Sequence, residues 1–192
     1  MKEFAIKAFD DSAEIKRRFA RDHADRIVQV AQLIGGTFQA GHKVLLFGNG
    51  GSSTDAAHIA AEFVGRYKRE RAPLPAIALA TDIAAITCIA NDYGFEELFA
   101  RQVQAHGQRG DVAIAISTSG NSPNVLKGVE AAKALGLTTI AWTGGTGGKL
   151  AGMVDYAFVV PSTLTARIQE SHITLGHVLC ELIEDHVLAN PA

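Results

Sequence analysis

From Lys43 onward, short uninterrupted apolar runs alternate with longer stretches whose apolar residues recur at helical spacing. The runs Val44–Phe47, Ala76–Leu79, Val112–Ile116, Thr138–Trp142 and Tyr156–Val160 predict strands. They are continuous rather than alternating, as expected of strands buried on both faces. Helices are predicted near 52–67, 82–90, 95–106, 122–135 and 165–189. Short strands joined by helices imply right-handed parallel crossovers. The expected fold class is therefore α/β: a three-layer αβα sandwich around a five-stranded parallel sheet. Ligands of such sheets collect at the carboxyl ends of the strands.

Upstream of this alternation, Asp11 or Ser12 is placed to cap a long helix running to about Ile34, before Gly35-Gly36. Toward its end the apolar surface broadens, through Ile27, Val28, Val30, Ala31, Leu33 and Ile34. That is wider than one packing stripe needs, and it predicts a helix covered on more than one side, the second cover being another subunit. The chain divides into an N-terminal helical segment, 1–40, serving oligomerisation, and a single globular unit, 41–192. No internal repeat, low-complexity tract or linker interrupts it.

Composition narrows the function classes. A chain of 192 residues with 47% hydrophobic and 20% charged residues can bury a sizeable core. A net charge of −2, with no basic stripe or block, gives no support to a nucleic-acid or membrane-surface role. No apolar run approaches the ~20 residues of a membrane span, and Met1-Lys-Glu-Phe-Ala-Ile is too polar for a signal peptide. Cys88 and Cys180 lie in apolar, helix-like surroundings without CxxC spacing, and read as buried thiols rather than a disulfide framework. The expected location is the cytoplasm.

The candidate chemistry sits just after strands. Ile114–Ile116 runs into Ser117, Thr118, Ser119 and Ser122, and Pro123 stands where a helix would begin. A strand opening into a hydroxyl-rich loop and a helix N-terminus makes an anion site without a lysine. Ser and Asn capping a plain strand-to-helix turn is the simpler reading, but four hydroxyls in six residues exceed what one cap needs. Earlier, Gly48-Asn49-Gly50-Gly51-Ser52 fits a ligand loop or a structural turn, and it is neither the GxGxxG fingerprint nor a Walker loop.

His58 and Glu62, four apart, share a helix face. They can supply two ligands to a metal, or one ligand and a base, or form an ordinary surface pair. On the last helix Gln169 and His177 are separated by about 80° around the axis and about 12 Å along it, near the limit for one ion. His177 is a ligand or a core or interface histidine. Asn91-Asp92 follows the Ile86–Ala90 helix and is either a turn or a pair of groups for sugar hydroxyls.

This set, Gly48-Asn-Gly-Gly-Ser52, His58-x-x-x-Glu62, Asn91-Asp92, Ser117-Thr-Ser-Gly-Asn-Ser122 and Ile168-Gln-Glu-x-His172 with His177, resembles the phosphoheptose (sedoheptulose 7-phosphate) isomerases of the sugar-isomerase, or SIS, domain superfamily. The resemblance spans nearly the whole chain, and the His/Glu/Gln/His order is its most specific part. It implies a flavodoxin-like sandwich assembled as a homotetramer with active sites between subunits. It implies conversion of sedoheptulose 7-phosphate to D-glycero-D-manno-heptose 7-phosphate, the first step toward the ADP- or GDP-heptose of the lipopolysaccharide core.

By the same resemblance Ser52, Ser117, Thr118, Ser119 and Ser122 hold the phosphate. Asn49, Gly50, Gly51, Asn91 and Asp92, with Glu62 and Gln169, contact the sugar. His58, Glu62, Gln169 and His177 hold one zinc per subunit, while Glu62 and His177 act as base and acid. Ala166 stands where some relatives carry an acidic residue. Ala166-Arg-Ile-Gln-Glu also resembles a non-catalytic SIS branch that binds the bacterial replication initiator; the complete His/Glu/Gln/His set favours the enzyme.

Overall fold

The computed structural model describes residues 1–190; Pro191 and Ala192, which end the expected 41–192 unit, lie outside the described residues. The elements are α1 (Lys2–Gln39), β1 (Val44–Gly48), α2 (Gly51–Val64), β2 (Ala76–Ala78), α3 (Ile83–Tyr93), α4 (Leu98–His106), β3 (Val112–Ile116), α5 (Pro123–Leu135), β4 (Thr138–Gly144), β5 (Tyr156–Val160) and α6 (Thr165–Ala189). All five strands are parallel, in the order β2-β1-β3-β4-β5. That is the flavodoxin-like winding, whose strand order reverses between β1 and β3 and opens a crevice at their carboxyl ends.

Every residue of β1 and β3 is buried, which accounts for their unbroken apolar sequence. Alternate side chains serve two cores. Val44, Leu46, Val112, Ile114, Ile140 and Trp142 pack beneath α1, α2 and α6. Leu45, Phe47, Ala113, Ala115 and Ala141 pack beneath α4 and α5, with Ile86 and Ile89 of α3 partly buried against the same cluster. The three-layer sandwich is thus as expected, with the strand ends shifted by a residue or two.

Two expectations are corrected. The first helix runs from Lys2 to Gln39, through Gly35-Gly36 and well before Asp11. Gly35 does not end it, because α6 crosses there and a Cβ at Gly35 would meet the His186 ring; close helix packing, not a C-cap, is what that glycine serves. Cys180 is buried as expected, whereas Cys88 is exposed. It lies on α3, an apolar helix none of whose residues is fully buried.

His172, in the middle of α6, is fully buried and meets the Thr143 carbonyl at 3.2 Å through Nε2. Burial pushes its pKa down to about 4 from 6.5, opposed by that hydrogen bond. With the folded value depressed, the unfolded chain takes up the proton first as pH falls. The neutral ring's contribution is therefore complete above about pH 6.5 and lost toward pH 4, amounting to about 3 kcal/mol. Urea unfolding of His172→Gln should show a pH dependence flatter by most of that amount across this window. A profile parallel to the wild type's would mean that another group governs acid unfolding.

Candidate active site

The loops after β1 and β3 face each other across the crevice and are tied by a reciprocal amide pair. Asn49 Nδ2 donates to Asn124 Oδ1 at 2.8 Å, and Asn124 Nδ2 donates back to Asn49 Oδ1 at 2.9 Å. Both Asn49 and the buried Asn124 are thereby fixed, and Asn124 was not among the residues expected from sequence. In the hydroxyl loop Ser117 and Ser122 lie 3.1 Å apart through Oγ. Ser122 occupies the N-cap position of α5, yet its side chain makes no capping bond, and Pro123 opens the helix. The Ser122 hydroxyl is therefore directed to the loop, not used on its own helix. Ser119 Oγ accepts from the Asn121 backbone N–H at 3.2 Å.

Ser52 sits buried in the first turn of α2, while the neighbouring Ser53 and Thr54 hydroxyls bond the carbonyls of Gly50 and Gly51. Gly50, with φ of 55°, caps this helix and takes a backbone form that other residues rarely adopt. Two loops and two helix N-termini, those of α2 and α5, thus converge at the switch point, an arrangement suited to a phosphate. Thr118 and Ser119 also border a cavity of about 850 Å³, walled further by Arg18, Gly145, Ser162 and Thr165. His58, Glu62 and His177 do not line that cavity.

Those three residues form a separate cluster between α2 and α6. His58 Nε2 lies 3.2 Å from Glu62 Oε1 and 3.4 Å from His177 Nε2. One donor atom from each of the three lies within 4.8 Å of the others. Ligands about 2.0–2.1 Å from a tetrahedral ion are separated by about 3.3 Å, so the two short distances match the edges of such a site. The approach depends on Gly176: a Cβ there would collide with Ile59, forcing α6 away from α2. Gln169, two turns earlier on α6, rests its amide against Gly51, where a Cβ would overlap it. It therefore bridges the glycine turn and the helix that carries His177.

Asn91 and Asp92 are not on a step beyond the helix. They form the last turn of α3, exposed, with Asn91 Nδ2 donating to Asp92 Oδ1 at 2.7 Å; Gly94, at φ 90°, ends the helix. Two more neighbours escaped the sequence reading. Asp55, one turn before His58, has a buried Oδ2 without a partner among the described residues, and burial raises its pKa to about 6 against the lowering effect of His58. Its i−3 spacing to His58 was the available signal. Tyr67, beyond the end of α2, stacks on the His177 ring, and no periodicity marks it.

Comparison with known proteins agrees with this fold. A model of the SIS domain matches residues 9–144. The chain is 59% identical to a phosphoheptose isomerase of Aquifex aeolicus, over 97% of this chain and 98% of the relative. It is 57% identical to one of Thermodesulfovibrio yellowstonii, over 97% and 92%. A solved structure of the phosphoheptose isomerase from Neisseria gonorrhoeae superposes with a TM-score of 0.91 at 43% identity, over 96% of this chain and 98% of that one.

Proposed function

This chain belongs to the phosphoheptose isomerases of the SIS-domain family, and we propose from that premise how its residues divide the work. The reaction is the interconversion of sedoheptulose 7-phosphate and D-glycero-D-manno-heptose 7-phosphate, which begins heptose activation for the lipopolysaccharide core. The observation that carries the residue assignment is the meeting of His58, Glu62 and His177 across α2 and α6. The relatives named are isomerases and give the non-catalytic replication-initiator module no support.

In this reading Ser52 and the hydroxyls of Ser117, Thr118, Ser119 and Ser122 hold the phosphate, aided by the helix N-termini behind them. Gly50 and Gly51, with Asn49 fixed by Asn124, border the sugar, and Gln169 reaches it from α6. Glu62 removes a proton from C1 of the ketose, leaving an enediolate, and returns it to C2. His177 protonates the carbonyl oxygen at C2 and accepts the hydroxyl proton at C1. Glu62 Oε1 faces His58, so Oε2 is the atom for the carbon-bound proton.

His58, Glu62 and His177, with Gln169 as the fourth ligand, would hold a zinc ion, one per subunit, which supplies Lewis acidity to the reacting oxygens. The protein assembles as a homotetramer with its sites near the interfaces. Supporting this are the exposed Phe4 and Phe9 on α1, Val28 at 46% exposure where the sequence expects a second cover, and Ile83 and Tyr93 on α3 beside Asn91 and Asp92. The reaction takes place in the cytoplasm; among the described residues no helix is long and apolar enough to cross a membrane.

The test follows sedoheptulose 7-phosphate by NMR with protein before and after chelation. Metal-replete protein should form the aldose. Chelated protein should lose at least about 10-fold in rate and regain it with added zinc. No aldose from metal-replete protein would reject the assignment, and full activity after verified metal removal would reject the zinc.

A further inference from the structure

Beyond α2 the chain makes an exposed loop that nevertheless contains a buried ion pair. Arg71 and Glu184 meet at 3.2 Å, each side chain only 2% exposed. Glu184 accepts the backbone N–H groups of Tyr67, Lys68 and Arg69 at 3.2, 3.0 and 2.8 Å. Arg71 donates to the carbonyls of Glu62 at 2.7 Å and Phe63 at 2.8 Å, which belong to the last turn of α2. One pair thus joins the end of the helix carrying His58 and Glu62 to the helix carrying His177. Glu184 lies seven residues after His177, two turns along the same face of α6.

The residue this clamp holds in place is Tyr67. Its ring stacks on the His177 imidazole with centroids 5.7 Å apart and planes 21° from parallel. His58 meets the same imidazole edge-on, at 5.0 Å and 74°. His177 is therefore bounded by Tyr67 through its stacked face and by His58 along its donor edge. Among the described residues the Tyr67 hydroxyl makes no hydrogen bond, so the ring is what the site uses.

We propose that Tyr67 is a positioning residue: its ring, fixed by the Arg71–Glu184 clamp, sets the orientation of the His177 imidazole toward the metal and the reacting oxygens. A histidine ring that turns freely about its side-chain bonds presents Nε2 to the site only part of the time, and groups that fix ligand orientation commonly change metal affinity or activity by 10- to 100-fold. The inference rests on the isomerase reading for its kinetic consequence, but not for its structural one.

The experiment compares Tyr67→Leu and Tyr67→Phe with wild type by three measurements. In metal-free protein, the His177 ring-proton resonances should move downfield in the Leu variant as the stacked ring is lost, and stay near wild type in the Phe variant. Zinc affinity, by competition with a chromophoric chelator, should weaken about 10-fold for Leu and stay within about 3-fold for Phe. On sedoheptulose 7-phosphate, kcat should fall about 10-fold for Leu with KM within about 2-fold, and recover in Phe. A Leu variant with unshifted His177 resonances and wild-type zinc affinity overturns the proposal. So does a Phe variant as impaired as Leu, since that would give the hydroxyl a direct role. Wild-type protein inactive on this substrate would reject the isomerase reading instead, leaving the resonances and zinc affinity to decide on Tyr67.

Discussion

Replacing Glu62 by Gln is expected to lower kcat by about 10³- to 10⁴-fold while leaving the protein folded and able to bind a sugar phosphate. The amide has nearly the same shape, so it can keep an oxygen toward His58, now 3.2 Å from Oε1. It loses the basic lone pairs that make a carboxylate able to take a proton from carbon. A positioned general base contributes about 10²- to 10⁴-fold, and weaker ligation by a neutral oxygen adds to the loss. The His58 side chain that pairs with Glu62 is 48% exposed, so no buried charge partner is stranded by the change. The thermal midpoint should therefore stay within a few degrees. KM should change little, because the phosphate cradle is made by Ser52, at the opposite end of α2 from Glu62, and by Ser117–Ser122 on another loop. Turnover in D₂O gives an independent reading: exchange at the sugar carbon should stop together with product formation. Wild-type kcat in Glu62→Gln would remove Glu62 as the base, whatever the metal does.

How much of this site could be read from the chain depends on the range of the interactions involved. The strands were legible because burial on both faces leaves an unbroken apolar run, as in Val112–Ile116. The His58–Glu62 pair was legible because helical spacing alone places them on one face. The reach from Gln169 to His177 looked strained when measured along one helix. Within one chain that separation stands, since both residues lie on α6; what the fold adds is His58, brought beside His177 where α2 crosses at Gly176. The C-terminal end of α1 differs from expectation because a Gly-Gly pair is a local stop signal, and the packing that overrides it comes from His186, far along the chain. Cys88 is expected to be buried because α3 is apolar, but only the side bearing Ile86 and Ile89 packs on the core, and Cys88 stands on the uncovered side. Asn124, Tyr67 and the clamp were invisible for the same reason: Arg71 and Glu184 are 113 residues apart, and nothing in the local pattern of either announces the other.

That clamp should also dominate stability near the site. Glu184→Ala is expected to destabilise the fold by about 3–5 kcal/mol, because it leaves the Arg71 guanidinium buried without its counter-charge and three backbone N–H groups without an acceptor. For a chain of this size that corresponds to a fall of about 6–20 °C in the thermal midpoint. Burial alone would raise the Glu184 carboxyl, but the N–H groups of Arg69, Lys68 and Tyr67 and then the Arg71 charge outweigh it and hold it below its ordinary value. A carboxyl lowered in the folded state contributes stability that is complete above its unfolded pKa and lost as pH falls through the folded one. The gap between wild type and Glu184→Ala should therefore be widest near neutrality and narrow at acid pH. Removing both charges with apolar side chains, as in Arg71→Met with Glu184→Leu, should recover part of the loss, since the stranded charge is then gone. The capped N–H groups would still lack their acceptor, so recovery should stop short of wild type. Urea unfolding of the two single variants and the double variant measures this coupling directly. A loss below about 1 kcal/mol for Glu184→Ala would mean that the loop relaxes into water without its clamp. Tyr67 would then be held over His177 by the stacked rings and by the neighbouring surface pairs Lys68–Glu181 and Arg69–Asp185.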